Sequence, residues 1–363
     1  YEVTSVETPD NDTTPSYTFF STLPGTISYG GDCRDNNTPT ATADNNTITF
    51  DALADGTYSN CKISVDNNSN TSDNLSVSSF TIDTTPPTLV ETTLVPSLTN
   101  DNATQYTFSS SEGGTISIGG DCSSDNNTAV ADNMTVSFAA LPDGTYSNCT
   151  ITVTDSAGNS VTIDVNSFTI DTVKPVLALV TAVTTPTNDN TSSYTFSSTE
   201  TGSITYGVCS GSPNNAVKDN NTITFDALAD GAYSDCKISV TDNASNTSDN
   251  LSVSSFTIDT VKPVLAQVTA VTTPTKDPTP GYAFSSDEAG TISYGGCSPG
   301  GTSAINGTNS ISFGTLSEGS YSCTITVTDS AGNASSALSV NTFEVDTTAP
   351  TLSQVTAVTT PTC

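Results

Sequence analysis

The chain has 363 residues and a formal net charge of −31, from seven basic residues against 38 acidic ones, with no histidine. Charged residues are only 12% of the total, so Thr, Ser and Asn supply most of the polarity. Such a surface should be repelled by nucleic acid and by anionic lipid, which argues against both as partners, and no apolar run approaches the roughly 20 residues that cross a bilayer as a helix.

One short stretch organises the rest. Phe80-Thr-Ile-Asp-Thr-Thr-Pro-Pro87 returns in close copy at 168–175, 256–263 and 343–350, a period of 88, 88 and 87 residues. Internal repetition sets the architecture before any other reading. It divides the chain into four modules, 1–87, 88–175, 176–263 and 264–350, each near the size at which a single core becomes viable. Residues 351–363 begin a fifth, because 354–362 copy 267–275. Tyr1 enters in mid-strand and Cys363 stops just after a first strand. Both ends therefore read as cuts in a longer chain, and a missing targeting signal carries no weight.

The third module shows the elements in order. Residues 176–183 form a first strand and 185–190 a polar turn; 194–198 alternate apolar and polar, as a half-buried strand does. A third strand spans 202–206, followed by a Gly/Ser/Asn-rich excursion through Cys209 with room for one short strand. Residues 222–225 come next, and 227–233 turn into a long strand ending at 238–240. A turn at 242–246 precedes the last strand, 253–258. About seven strands with turn chemistry between them, and no helical period, predict an all-β protein. The expected fold is four tandem immunoglobulin-like antiparallel β-sandwich domains in an extended array.

Leu-x-Asp-Gly-x-Tyr supports this fold. It stands at 53–58, 141–146 and 228–233, and as Leu-Ser-Glu-Gly-Ser-Tyr at 316–321. In immunoglobulin sandwiches, with strands lettered A to G, a tyrosine two residues before a cysteine ties the E–F corner together. Tyr321 lies two before Cys323, but Asn60, Asn148 and Asp235 add one residue in the other modules. An inserted residue flips a strand unless it is bulged out, so a β-bulge is expected between Tyr146 and Cys149.

Eight of the nine cysteines fall as one pair per module: Cys33 with Cys61, Cys122 with Cys149, Cys209 with Cys236, and Cys297 with Cys323. No CxxC spacing and no histidine suggests zinc. Disulfides in an oxidising, extracellular setting are expected, each pinning the loop after strand C onto strand F. A closed loop of about 27 residues contributes roughly 3 kcal/mol in the chain-entropy account. Cys363 stands alone, as an intermolecular link or as a product of where the chain was cut.

The linkers, the Thr-Asn-Asp-Asn turn at 187–190, the tyrosine motif and Thr-Asp-Ser-Ala-Gly-Asn at 154–159 together resemble the tandem bacterial immunoglobulin-like repeats of giant surface adhesins. The resemblance covers all four modules. It implies an extender or stalk with metal at its joints. The cysteine pair departs from many such repeats.

Carboxylates recur at fixed places. Asp12, Asp101, Asp189 and Asp277 lie five residues before the tyrosine of the second strand; Asp83, Asp171, Asp259 and Asp346 lie in the linkers. Asp66, Asp155, Asp242 and Asp329 precede the last strand, and Asp55, Asp143, Asp230 and Glu318 sit at the corner. Strand polarity puts the A–B turn, the E–F corner and the end of G at the pole facing the next module, and the F–G turn at the other. Asp12, Asp55 and Asp83 should then face Asp155; Asp101, Asp143 and Asp171 should face Asp242; Asp189, Asp230 and Asp259 should face Asp329. Converging carboxylates with backbone carbonyls suit Ca²⁺, which takes about 6–8 hard oxygen ligands. The alternative is that each aspartate only caps its own turn, and Lys276 weakens any site at the fourth module's far end.

Asn-x-Ser/Thr triplets, as at Asn45, Asn102 and Asn148, permit glycosylation. Catalysis has no foothold: no histidine, no nucleophile elbow and no phosphate-cradling loop. The expected function is a structural stalk, extender or filament body of a microbial cell-surface adhesin or extracellular fibre, with neighbouring repeats or copies of itself as partners. Four modules in line would reach roughly 150 Å. Two alternatives remain open. One is a self-assembling filament subunit using β-strand addition, for which 355–358 is the spare strand. The other is a module binding a glycan or protein receptor through pole loops such as 30–45 or 121–132.

Overall fold

The computed structural model describes residues 1–356 apart from 36, 38, 298 and 299. The spare strand beyond 356 and Cys363 lie outside the described residues. No described segment is helical, and every strand pairing is antiparallel except short parallel contacts near the linkers. The chain is all-β.

The second module shows the plan. Leu89–Thr93, Gln105–Ser110 and Asp132–Ser137 form one three-stranded sheet. Thr128–Ala129, Gly114–Gly119, Thr150–Thr154 and Ser160–Asp164 form a four-stranded sheet. Alternation drives both. Tyr106 and Phe108 point inward from the first sheet and are fully buried, while Ile151 and Val153 do the same from the second. The outward Thr107 and Thr135 hydroxyls meet at 2.9 Å across the pleat. The result is a sandwich whose core is buried between the sheets, and each of the other modules has its own separate core cluster.

A third, small ribbon departs from the expected strand layout. Gly144–Tyr146 pairs with Phe168–Ile170, which also takes Leu98–Thr99 in parallel. The chain therefore does not bulge between Tyr146 and Cys149; it leaves the ribbon at Tyr146 and joins the four-stranded sheet at Thr150. The fourth module, without the extra residue, makes the same crossing between Tyr321 and Thr324. The expected long strand of the third module, ending at 238–240, is split in the same way. Gly231–Tyr233 pairs with Phe256–Ile258, and Lys237–Thr241 pairs with Gly202–Tyr206, while the expected last strand 253–258 is confined to Phe256–Ile258. A side chain can face the core from either sheet, so alternation does not register the switch.

The corner tyrosine is present in all four modules. Tyr58, Tyr146, Tyr233 and Tyr321 donate to the main-chain oxygens of Ala54, Pro142, Ala229 and Ser317 at 2.8–2.9 Å. Tyr146 also stacks on Phe168 with ring centroids 5.3 Å apart.

The four cysteine pairs are bonded: Cys33–Cys61, Cys122–Cys149, Cys209–Cys236 and Cys297–Cys323, with Cα separations of 5.2–5.4 Å. Cys122 follows the strand Gly114–Gly119, and Cys149 directly precedes Thr150–Thr154. The extra residue before the second cysteine has its own task. Asn148 accepts the Asp121 N–H at 3.2 Å through Oδ1 and donates to Asp121 Oδ2 at 3.0 Å, closing the same loop beside the disulfide.

The chain divides into two compact units, residues 1–173 with 243–246, and 174–242 with 247 onward. The first two cores lie in one unit and the last two in the other.

Candidate metal centre

Within the first unit, the end of the first module meets the F–G turn of the second. That turn is Asp155-Ser-Ala-Gly-Asn159. Asp155 Oδ1 accepts the N–H groups of Ala157 at 2.8 Å and Asn159 at 2.9 Å, which curls the chain tightly. Gly158 completes the curl at φ +98°, a conformation that side chains rarely adopt; a Cβ there would also stand 3.2 Å from Asn11 Nδ2 of the first module. The Asn159 amide nitrogen donates to Asp155 Oδ2 at 2.9 Å and across to the main-chain oxygen of Asp83 at 2.8 Å.

Asp83, Glu112 and Asp155 converge here, each with a carboxylate oxygen within 4.8 Å of the others'. Asp155 is buried, at 7% exposure, and the other two are half-buried. Burial, then the Asp83 and Asp155 charges, hold the Glu112 carboxyl above the ordinary glutamate range.

Within the second unit the joint repeats. Asp259, Glu288 and Asp329 converge within the same 4.8 Å. Asn333 donates to the Asp259 main-chain oxygen at 2.7 Å and to Asp329 Oδ2 at 2.9 Å. Gly332 has φ +97°, with Asn188 packed over it, and Asn188 N–H donates to Ala331 O at 3.1 Å. Burial, then Asp259 and Asp329, push the Glu288 carboxyl up. Burial also pushes Asp329 up, but hydrogen bonds from the Asn333 side chain and from the Asn333, Gly332 and Ala331 N–H groups outweigh it and leave that carboxyl low.

The sequence-derived ligand sets are assembled only in part. Asp83 meets Asp155, and Asp259 meets Asp329. Asp12, Asp55, Asp101, Asp143, Asp189 and Asp230 instead cap turns or linkers of their own modules. Asp12 accepts the Thr14 N–H and hydroxyl at 2.8 and 2.9 Å, and Asp189 accepts those of Thr191 at 2.9 Å. Asp101 accepts the Ala103 N–H at 3.0 Å. Asp55 takes the Thr84 N–H and the hydroxyls of Thr84 and Thr85, Asp143 takes Thr172, and Asp230 takes Thr260. The reason is reach: each corner acid lies beside a linker threonine that donates twice from one residue. Asp171 accepts the Val173 N–H at 3.1 Å, as Asp83 accepts that of Thr85 at the same distance, and Asp242 is buried.

Glu112 and Glu288 were not among the expected ligands. They stand two residues before Gly114 and Gly290, and Glu200 holds the same place before Gly202, whereas the first module has Leu23 before Gly25. That column of glutamates was the available signal.

The donor set is all oxygen. Three carboxylates without nitrogen or sulfur ligands suit a hard cation such as Ca²⁺ rather than zinc. The raised glutamate fits this too, since a cation would relieve the crowding of like charges that disfavours its ionised form. The residues present therefore fit a calcium ion at each of these two joints.

Residues 307–360 match the bacterial Ig-like domain (group 3) family. Among solved structures, fibronectin(III)-like modules of Clostridium thermocellum CbhA align with 10% identity and a TM-score of 0.29, over 47% of this chain and 94% of theirs. Escherichia coli alpha-2-macroglobulin activated by porcine elastase aligns with 7% identity and a TM-score of 0.20, over 95% of this chain and 44% of its own length. No curated protein matches the chain significantly. Among the described residues no helix is long and apolar enough to cross a membrane. The chain is a tandem of immunoglobulin-like repeats, and the bacterial Ig-like domain (group 3) match spans the second half of the fourth module and the residues after it.

Proposed function

We propose that these modules form a mechanical element, the stalk or filament body of a microbial surface adhesin or extracellular fibre. Each bead is locked by its disulfide, and joints are stiffened by Ca²⁺. The observation that carries this reading is the repeated joint: at residues 83–159 and again at 259–333, a linker carbonyl is bound to the next module's F–G turn, and three carboxylates of the two modules converge. A joint built once could be incidental; the same contacts in two places favour one purpose, holding successive modules in a set relation.

The disulfides support an extracellular location. The acidic surface supports solubility and keeps copies from sticking to one another. The role is mechanical rather than catalytic, in keeping with a sequence that has no histidine. In this role Asp83, Glu112 and Asp155, and their counterparts Asp259, Glu288 and Asp329, would hold the cation. The cation's chemistry is charge neutralisation and oxygen coordination only.

Small-angle scattering with Ca²⁺ and then with chelator tests the proposal. The expected result is a single long maximum dimension in Ca²⁺ that shortens or broadens when the ion is removed. A profile unchanged by chelator would sink the calcium part and leave rigidity to the linkers alone.

A further inference from the structure

We infer that Asn159 and Asn333 are latches that hold their joints without a cation. The inference rests on reading the joints as mechanical parts, and it adds a component that calcium removal leaves in place.

Each amide nitrogen sits between two oxygens of different modules. For Asn159 these are Asp83 O at 2.8 Å and Asp155 Oδ2 at 2.9 Å; for Asn333 they are Asp259 O at 2.7 Å and Asp329 Oδ2 at 2.9 Å. The orientation is dictated by chemistry. An amide oxygen turned to this position would face two acceptors with no proton to share, so only the NH₂ group fits. It has two hydrogens, and both are used.

The latch is itself held rigidly. The Asn159 N–H donates to Asp155 Oδ1 at 2.9 Å, and the Asn333 N–H donates to Asp329 Oδ1 at the same distance. Asn333 is only 5% exposed. Each latch follows a glycine at φ near +98°, against which Asn11 or Asn188 of the preceding module packs. Its side chain is therefore preorganised before the linker docks, so little rotamer freedom remains to be lost on docking. The acceptor on the linker is a main-chain carbonyl, which carries no net charge and does not titrate. The contact thus persists where carboxylate-held contacts would depend on a bound ion or on pH.

The test is hydrogen–deuterium exchange of the full chain, read on peptides covering residues 80–87 and 256–263. Wild type is compared with Asn159→Leu/Asn333→Leu and with Asn159→Asp/Asn333→Asp, each in Ca²⁺ and in chelator. Thermal melting confirms that the modules stay folded. The leucine variant loses the latch and should exchange about fivefold faster than wild type in chelator, the loss of one typical hydrogen bond. The aspartate variant places an oxygen against the linker carbonyl. It should be equally fast in chelator and should recover in Ca²⁺, because a cation can bridge what the amide no longer does. Wild-type rates in chelator that match the leucine variant's would overturn the latch while leaving calcium in place. Equal rates for all three proteins in chelator would overturn it as well. A wild type indifferent to Ca²⁺ beside a fast leucine variant would keep the latch and reject the calcium joint.

Discussion

At the corner of the first module, Asp55 accepts hydrogen bonds from the Thr84 N–H and hydroxyl and from the Thr85 hydroxyl. The side-chain bonds of Thr84 and Thr85 hold its carboxyl below the ordinary aspartate range. At the neighbouring joint, Glu112 lies in a cluster with Asp83 and Asp155, and burial together with those charges pushes its carboxyl up. Both acids recur from module to module. The corner acids accept hydrogen bonds from linker threonines, which favour their charged form, whereas the joint brings three carboxylates of two modules together. Recurrence alone does not separate the two; the crowding of carboxylates around Glu112 does. The corner should then belong to an ion-blind module body, and the joint should be the ion-sensitive part.

The largest effect that could break this division comes from the disulfide. Replacing Cys122 and Cys149 together by serine should cost the second module about 3 kcal/mol, seen as a lowered melting temperature. The loss should be the same in Ca²⁺ and in chelator. A calcium-dependent loss would mean that the module body is not ion-blind.

Next is the joint itself. Glu112→Gln and Glu288→Gln should each weaken Ca²⁺ binding at their joint by at least about tenfold, the range found when even an outer-shell partner is removed. Asp55→Asn should leave the affinity unchanged. Isothermal titration of the three variants checks this, and equal losses in all three would erase the distinction.

The smallest effect is the dependence on pH. A folded-state pKa raised above the ordinary glutamate value means the docked joint binds that proton more tightly than the unfolded chain does. Without cation, the joint should therefore gain stability as pH falls through the raised value toward 4.5, and Ca²⁺ affinity should fall over the same window. Asp55 has the opposite sign: its contribution is present above 3.8 and is lost as pH falls through its lowered value. Carboxyl-carbon NMR titration would show Glu112 and Glu288 leaving their charged state first. Glu112 titrating at or below 4.5 would remove the crowded-charge account.

Much of the body was legible in the residues. The repeat of linkers, the eight paired cysteines and Leu-x-Asp-Gly-x-Tyr pointed to sandwiches with a tied corner, and Tyr58, Tyr146, Tyr233 and Tyr321 all make that tie. The joint was half legible. Strand polarity places Asp83 and Asp155 together, whereas the glutamate column of Glu112 and Glu288 has Leu23 in the first module and so is not a full repeat. The supposed bulge at Asn148 was a change of sheet, with Asn148 serving the loop at Asp121.

What the sequence determined by itself was local and periodic: strand faces, turn residues, module length and the cysteine pairs. These depend on spacings within one module, which are written in the chain. Only the tertiary structure decided which sheet each half-strand joins and which acids meet. Alternation is the same in either sheet, and contacts between Asp83, Glu112, Asp155 and Asn159 depend on how one module's end docks on the next. Asp155 and Asp329 cap their own turns and also join a cluster of acids, and that second neighbourhood exists only once the chain has folded.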